Sequence, residues 1–263
     1  MFANYHTHTK RCHHAYGTDE EYVKQAIERG LSVFGFSDHT PYFYDGDYYC
    51  HAKMGMDELE EYVNSVLFLK NKYKNEIDIK LGFETEYFPK FFPRLLEEYR
   101  KYPIDYIILG QHFIGNESTP DAEDSFTVKR ERKSLIRYTD QCIEALNTGR
   151  FSCFAHPDVV NYHPTTDEDM EFMQSEYERL VRAAILTETP LEINLCGLRY
   201  ARNYPNPVFW RTVGKLDASV VIGCDAHSPA QVADPEEIKK AEIIVKENGL
   251  RLIDDFPLKN PLF

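Results

Sequence analysis

Two rhythms of apolar residues alternate along the chain. Short, nearly continuous apolar runs are separated by stretches in which apolar residues return every three or four positions, the periods of buried strands and amphipathic helices. The runs are Asn4–Thr9, Ser32–Ser37, Ile77–Glu84, Tyr106–Gly110, Phe151–Ala155, Leu191–Leu195 and Ser219–Cys224, which predict seven strands. Between them the spacing predicts helices from Thr18 to about Arg29, Met56 to about Lys74, Leu95 to Lys101, about Arg130 to Leu146, Asp167 to Leu186, around Val208 to Leu216, and Pro235 to Asn248. Thr18-Asp-Glu-Glu21 reads as a helix cap with acidic residues in the first turn, and Gly30 closes that helix. Thr40 to His51 follows neither period and reads as a long loop, with Tyr42 to Tyr49 as an aromatic lid or packing segment. A second loop spans Asn116 to Ser125, and a terminal Leu250–Ile253 segment ends the chain.

Regular alternation of strand and helix implies a parallel sheet. Polar side chains follow almost every apolar run, as in a barrel whose strand ends share one mouth; an open sheet would gather them at a single switch point. The expectation is an α/β chain folded as a TIM-like barrel, residues 1–263 forming one domain without a low-complexity linker.

The 263 residues can bury a large core, and 43% hydrophobic with 28% charged residues excludes a disordered chain. A formal charge of −13 gives no electrostatic footprint for nucleic acid or an acidic membrane. No apolar run is long enough to span a bilayer and no basic-then-apolar leader is visible, so a cytoplasmic protein is expected. The oligomeric state is left open. Six scattered cysteines without a Cys-x-x-Cys pair are expected as free thiols.

The residues that follow the strands carry the chemistry. His6, His8, His14, His39, Glu84, His112, His156, Asp225 and His227 lie at or just past predicted strand ends, and a barrel would bring them to one mouth. His6 and His8 are two apart, so an extended strand would point both rings to one side. Imidazole and carboxylate without thiolate suit zinc, iron or manganese, and nine ligands suffice for two or three ions with a bridging carboxylate. Such clusters hydrolyse esters by acidifying water and clamping the oxygens of the attacked centre.

These motifs resemble the PHP (polymerase and histidinol phosphatase) family of metallophosphoesterases along nearly the whole chain. They are His-Thr-His-Thr at 6 to 9, Cys-His-His-Ala at 12 to 15, Ser-Asp-His at 37 to 39, Gly-Phe-Glu at 82 to 84, Gly-Gln-His-Phe at 110 to 113, Ala-His-Pro-Asp at 155 to 158 and Cys-Asp-Ala-His at 224 to 227. Phe36-Ser-Asp-His-Thr-Pro41 and Phe83-Glu-Thr-Glu-Tyr-Phe-Pro89 look most like the monofunctional histidinol-phosphate phosphatases of that family. The resemblance implies a distorted (β/α)7 barrel with a trinuclear divalent centre at the C-terminal ends of the strands. His6, His8, Glu84 and Asp225 would hold one ion, Glu84 would bridge to a second bound by His112 and His156, and His14, His39 and His227 would hold the third. His13 is an alternative to His14. Asn194-Leu-Cys-Gly-Leu-Arg199 resembles the family segment whose arginine faces phosphate, with Arg202 nearby.

The activity expected is hydrolysis of L-histidinol phosphate to L-histidinol and phosphate by a metal-bridging hydroxide, with Arg199 neutralising phosphoryl oxygens. Asp38 or His227 would protonate the leaving alkoxide, and Arg202 and Glu86 would contact a small phosphorylated substrate. The alternatives are a phosphoesterase of the same family acting on nucleotides or oligonucleotide ends, an amidohydrolase-like enzyme, and a non-catalytic metal-binding protein.

Overall fold

The computed structural model describes residues 1–127 and 131–263. In chain order its strands are β1 (Ala3–Asn4), β2 (Val33–His39), β3 (Asp78–Thr85), β4 (Tyr106–Leu109), β5 (Phe113–Ile114), β6 (Glu123–Asp124), β7 (Cys153–Phe154), β8 (Leu191–Asn194), β9 (Ser219–Gly223) and β10 (Arg251–Leu252). The helices are α1 (Asp19–Glu28), α2 (Leu59–Lys72), α3 (Phe92–Tyr99), α4 (Arg132–Asn147), α5 (Asp167–Leu186), α6 (Leu195–Arg199), α7 (Pro207–Leu216) and α8 (Pro235–Asn248). The expected start of α4 at Arg130 lies outside the described residues.

Eight strands form one sheet in the order β1-β2-β3-β4-β7-β8-β9-β10, every pair parallel. The sheet curls until the chain beyond β1 meets the chain beyond β9. Thr7 bridges Ala226 in parallel, His8 N–H donates to the Ala226 carbonyl at 3.0 Å, and Ser37 N–H donates to the Thr7 carbonyl at 2.9 Å. The barrel is thus closed at the end where the strands finish. At the opposite end β10 adds beside β9. β5 and β6 form a separate antiparallel hairpin in the loop after β4.

Strand alternation explains why the runs are apolar on both faces. In β4, Ile107 and Leu109 join the large core between sheet and helices, while Tyr106 and Ile108 join a smaller cluster with Ala3, Tyr5, Cys153 and Val221 inside the barrel. The helices cover the outside with one stripe each. In α2, Leu59, Tyr62, Val63, Val66 and Leu69 are buried at helical spacing. The Thr18 hydroxyl and Glu21 form the capping box that starts α1.

Three expectations need correction. The first strand, expected over Asn4–Thr9, is Ala3–Asn4, and the chain beyond it makes only the single bridge at Thr7. The fifth strand shrinks from Phe151–Ala155 to Cys153–Phe154. The stretch after Asn194 turns into the short helix α6, because the Asn194 side chain accepts from Gly197 N–H at 2.9 Å and caps it. All six cysteines are free. Among the described residues no helix is long and apolar enough to cross a membrane.

Candidate metal centre

All nine predicted ligands gather at the closed mouth. His6 and His8 project from the extension of β1, His39 and Glu84 end β2 and β3, and His112 and His156 follow β4 and β7. Asp225 and His227 follow β9, and His14 reaches the same place past a 3-10 turn at Lys10–Cys12. That turn ends with His13 in the left-handed region, its ring turned outward to the Tyr49 hydroxyl at 3.2 Å. Donor atoms of His14, His39 and His227 lie within 4.8 Å of one another. His14, and not His13, thus stands beside His39 and His227.

Glu84 stands at the middle. Its Oε1 lies 2.7 Å from His156 Nε2, 3.5 Å from His112 Nε2 and 3.6 Å from His6 Nε2, and its Oε2 lies 2.8 Å from His39 Nδ1 and 3.5 Å from His8 Nε2. Asp225 Oδ1 lies 3.1 Å from His8 Nε2 and 3.6 Å from His6 Nε2. Just past the end of β4, the strand beside β3, the chain leaves room for this carboxylate: a Cβ on Gly110 would sit 1.9 Å from Glu84 Oε1. Burial pushes the Glu84 carboxyl up, yet the His112, His39 and His6 rings together hold it well below the usual carboxylate range. Burial lowers His8, and the facing carboxylates of Asp225 and Asp38 outweigh it, raising the ring to about 9.

The residues fit a group of divalent ions. Glu84 Oε2, Asp225 Oδ1 and His156 Nδ1 are buried without a hydrogen bond. Imidazole nitrogens nonetheless crowd both carboxylates, an arrangement that gains sense when the lone pairs serve a shared cation rather than one another. The centre opens on a cavity of about 420 Å³ lined by His14, His39, Glu84, His112, His156, Asp225 and His227. Arg202, Lys53, Asp124, Phe126 and Tyr204 also lie in its wall.

Around the ligands lies a frame of hydrogen bonds. His6 Nδ1 meets Glu192 Oε1 at 2.8 Å and His14 Nδ1 donates to the Cys12 carbonyl at 2.7 Å, while His8 Nδ1 faces Asp38 Oδ1 at 3.5 Å as a charge contact only. Such partners orient a ligand ring and fix which nitrogen is free.

Four expected roles change. Arg199 does not reach the cavity: its Nε donates to Glu237 Oε1 at 2.7 Å and its Nη2 to Glu237 Oε2 at 2.5 Å. Arg202, one turn further on, is the arginine in the cavity wall, its guanidinium over the Phe126 ring at 5.3 Å and the Tyr200 ring at 5.8 Å. Asp38 is wholly buried behind His8, with Oδ2 accepting from Thr9 and Oδ1 from His39 N–H, so it positions ligands and cannot meet a leaving group. Glu86 is likewise engaged, Oε1 by Lys53 at 2.6 Å and Oε2 by His112 and Phe113 N–H at 3.2 and 2.9 Å; it lines the cavity as a support for His112. His227 Nδ1 faces the Asp225 carbonyl at 3.2 Å, leaving Nε2 for an ion and no ring nitrogen for proton transfer.

The aromatic loop divides in two. Tyr42 and Tyr44 pack on Phe88 and Phe91, whereas Cys50, Ala52 and Lys53 reach the cavity. No sequence pattern singled out Lys53, Asp124 or Phe126, because each lies in a connection without period.

The model of the PHP domain matches residues 4–195. A probable histidinol-phosphatase of Deinococcus radiodurans is 28% identical over 238 residues, covering 86% of each chain. A histidinol-phosphatase of Lactococcus lactis is 24% identical over 271 residues, 96% of this chain and 93% of its own. The crystal structure of a histidinol phosphate phosphatase from Lactococcus lactis, complexed with zinc, L-histidinol and phosphate, superposes with a TM-score of 0.74 at 23% identity, covering 97% of this chain and 96% of that one.

Proposed function

The chain belongs to the PHP domain family, and on that premise we propose that it is a metal-dependent phosphomonoesterase that hydrolyses L-histidinol phosphate to L-histidinol and phosphate. The observation that carries the proposal is a nine-residue imidazole and carboxylate centre that opens on a cavity also lined by Arg202. Relatives named histidinol-phosphatase across most of the chain supply the ester.

His6, His8, Glu84 and Asp225 would hold one ion, Glu84 with His112 and His156 a second, and His14, His39 and His227 a third; zinc, iron and manganese all suit this donor set. When bound, the ions supply Lewis acidity toward the phosphoryl oxygens and acidify water at neutral pH. Arg202 receives the phosphate dianion with a planar fork of donors, and the Phe126 and Tyr200 faces limit its wandering. Phe113, Phe126 and Tyr204 shield that end of the cavity from bulk water, which strengthens the charge interactions inside. Asp124 is the wall carboxylate outside both the ligand set and the Lys53 cluster, and it would meet the substrate's ammonium group. With Asp38 sealed off and His227 committed, the proton for the leaving alkoxide comes from solvent in the cavity.

A phosphate-release assay on metal-replete protein tests the assignment by comparing histidinol phosphate, nucleoside monophosphates and a generic aryl phosphate. Histidinol phosphate is expected to give the highest kcat/KM. Equal turnover of all esters would defeat the substrate assignment and leave the phosphomonoesterase standing.

A further inference from the structure

The sixth strand of the barrel, β8, contributes no ligand, yet its inward side chains touch the ligands His6, His156 and Asp225. Alternation sends Leu191 and Ile193 out to the helices and turns Glu192 and Asn194 inward. Glu192 is buried and three N–H groups converge on its carboxylate. His6 Nδ1 lies 2.8 Å from Oε1, while His156 N–H and Asn194 Nδ2 donate to Oε2 at 3.0 and 2.9 Å. Asn194 Nδ2 also donates to Asp225 Oδ2 at 3.1 Å, and its Oδ1 is fixed by Gly197 N–H. On the adjoining strand the chain keeps space for this group, since a Cβ on Gly223 would lie 1.7 Å from Glu192 Oε1.

We infer that Glu192 is a positioning residue of the metal centre: one carboxylate sets the ring of His6 with Nδ1 as donor and Nε2 toward the ions, and ties that ring to the backbone of His156 and, through Asn194, to Asp225. Three ligand-bearing segments, beyond β1, β7 and β9, are registered against a single side chain. An acceptor with two oxygens satisfies all three donors. A carboxamide cannot, because its NH₂ group must face at least one N–H. His156 and Asp225 both hold positive φ, 30° and 44°, a backbone state that ordinary residues leave unless surrounding bonds hold it, and the Glu192 network supplies such bonds at both places. The inference rests on the metal-binding reading of the centre.

The test is a zinc titration of metal-free protein against a competing chelator, for wild type, Glu192→Gln and Gly223→Ala, alongside the melting temperature of each metal-free protein. Glu192→Gln is expected to weaken the ion held by His6 by about ten- to a hundredfold, a usual cost of losing a ligand's hydrogen-bond partner, while the ion held by His14, His39 and His227 binds as before. Gly223→Ala leaves the carboxylate chemically intact but displaces it, and is expected to reproduce the selective loss. Histidine ¹⁵N–¹H spectra should show the His6 Nδ1 proton in wild type and lose or shift it in both variants. Unchanged zinc affinities in the variant that folds, or an equal weakening of every ion together with a collapsed metal-free melting temperature, would overturn the inference. Failure of wild type to take up zinc would instead defeat the metal-binding reading.

Discussion

Arg199 spends its guanidinium on Glu237, with both carboxylate oxygens engaged, and so leaves the cavity to Arg202. Two arginines three residues apart therefore carry different burdens. Arg202→Ala should lower kcat/KM for the phosphoester by about ten- to a hundredfold, the worth of a charged hydrogen-bonding contact, with little change in thermal stability. Arg199→Ala should destabilise the fold by about 3 kcal/mol by leaving Glu237 mostly buried and unpaired between α6 and α8. Steady-state kinetics beside thermal melts of the two variants read the difference directly. Reversed phenotypes would return Arg199 to the phosphate.

His14 and His6 serve different ions in this account. Replacing His14 with alanine should remove one equivalent of metal, because its donor atom groups with those of His39 and His227. Replacing Glu84 should remove more, since Glu84 touches His6, His8, His39, His112 and His156. Elemental analysis of the purified variants gives the counts; loss of all metal from His14→Ala would contradict the division.

In metal-free protein His8 and His227 pull stability in opposite directions as pH changes. His8, raised to about 9, holds a proton in the fold that the unfolded chain releases near 6.5, so its contribution is full below 6.5 and is lost as pH rises toward 9. His227 is pushed down by burial and by His8 to about 3, so the fold holds it neutral; its contribution is full above 6.5 and is lost as pH falls toward 3. The two limbs meet between them. Ions displace the His8 proton, so loading should release protons at neutral pH and tighten as pH rises. Melting temperatures across pH, with and without zinc, check both statements.

Much of the site was legible because most of the ligands stand at or just past the end of an apolar run, and a parallel barrel leaves such positions nowhere to go but the mouth. Seven runs gave seven strands, and Thr18 with Glu21 gave the start of α1. What stayed hidden depends on contacts between distant segments. Nothing near Arg199 announces Glu237 38 residues on, and the turn between Arg199 and Arg202 is closed by Arg202 N–H donating to the Gly197 carbonyl with Ala201 at positive φ. Asp38 read as a free acid because its partners Thr9 and His8 lie a whole strand–helix unit earlier. Nothing in the sequence sets Glu192 apart, since its three donors come from elsewhere in the barrel and from nearby Asn194.

The central claim is that histidinol phosphate is hydrolysed at this nine-residue centre only when it holds ions. Phosphate release from histidinol phosphate should be followed on purified protein, on the same protein stripped by chelator and dialysed, and after zinc or manganese is returned. The account predicts near-complete loss of turnover on stripping, recovery on reloading, and little recovery in the Glu84→Ala variant. Turnover at the original rate by protein shown to contain no metal would contradict it.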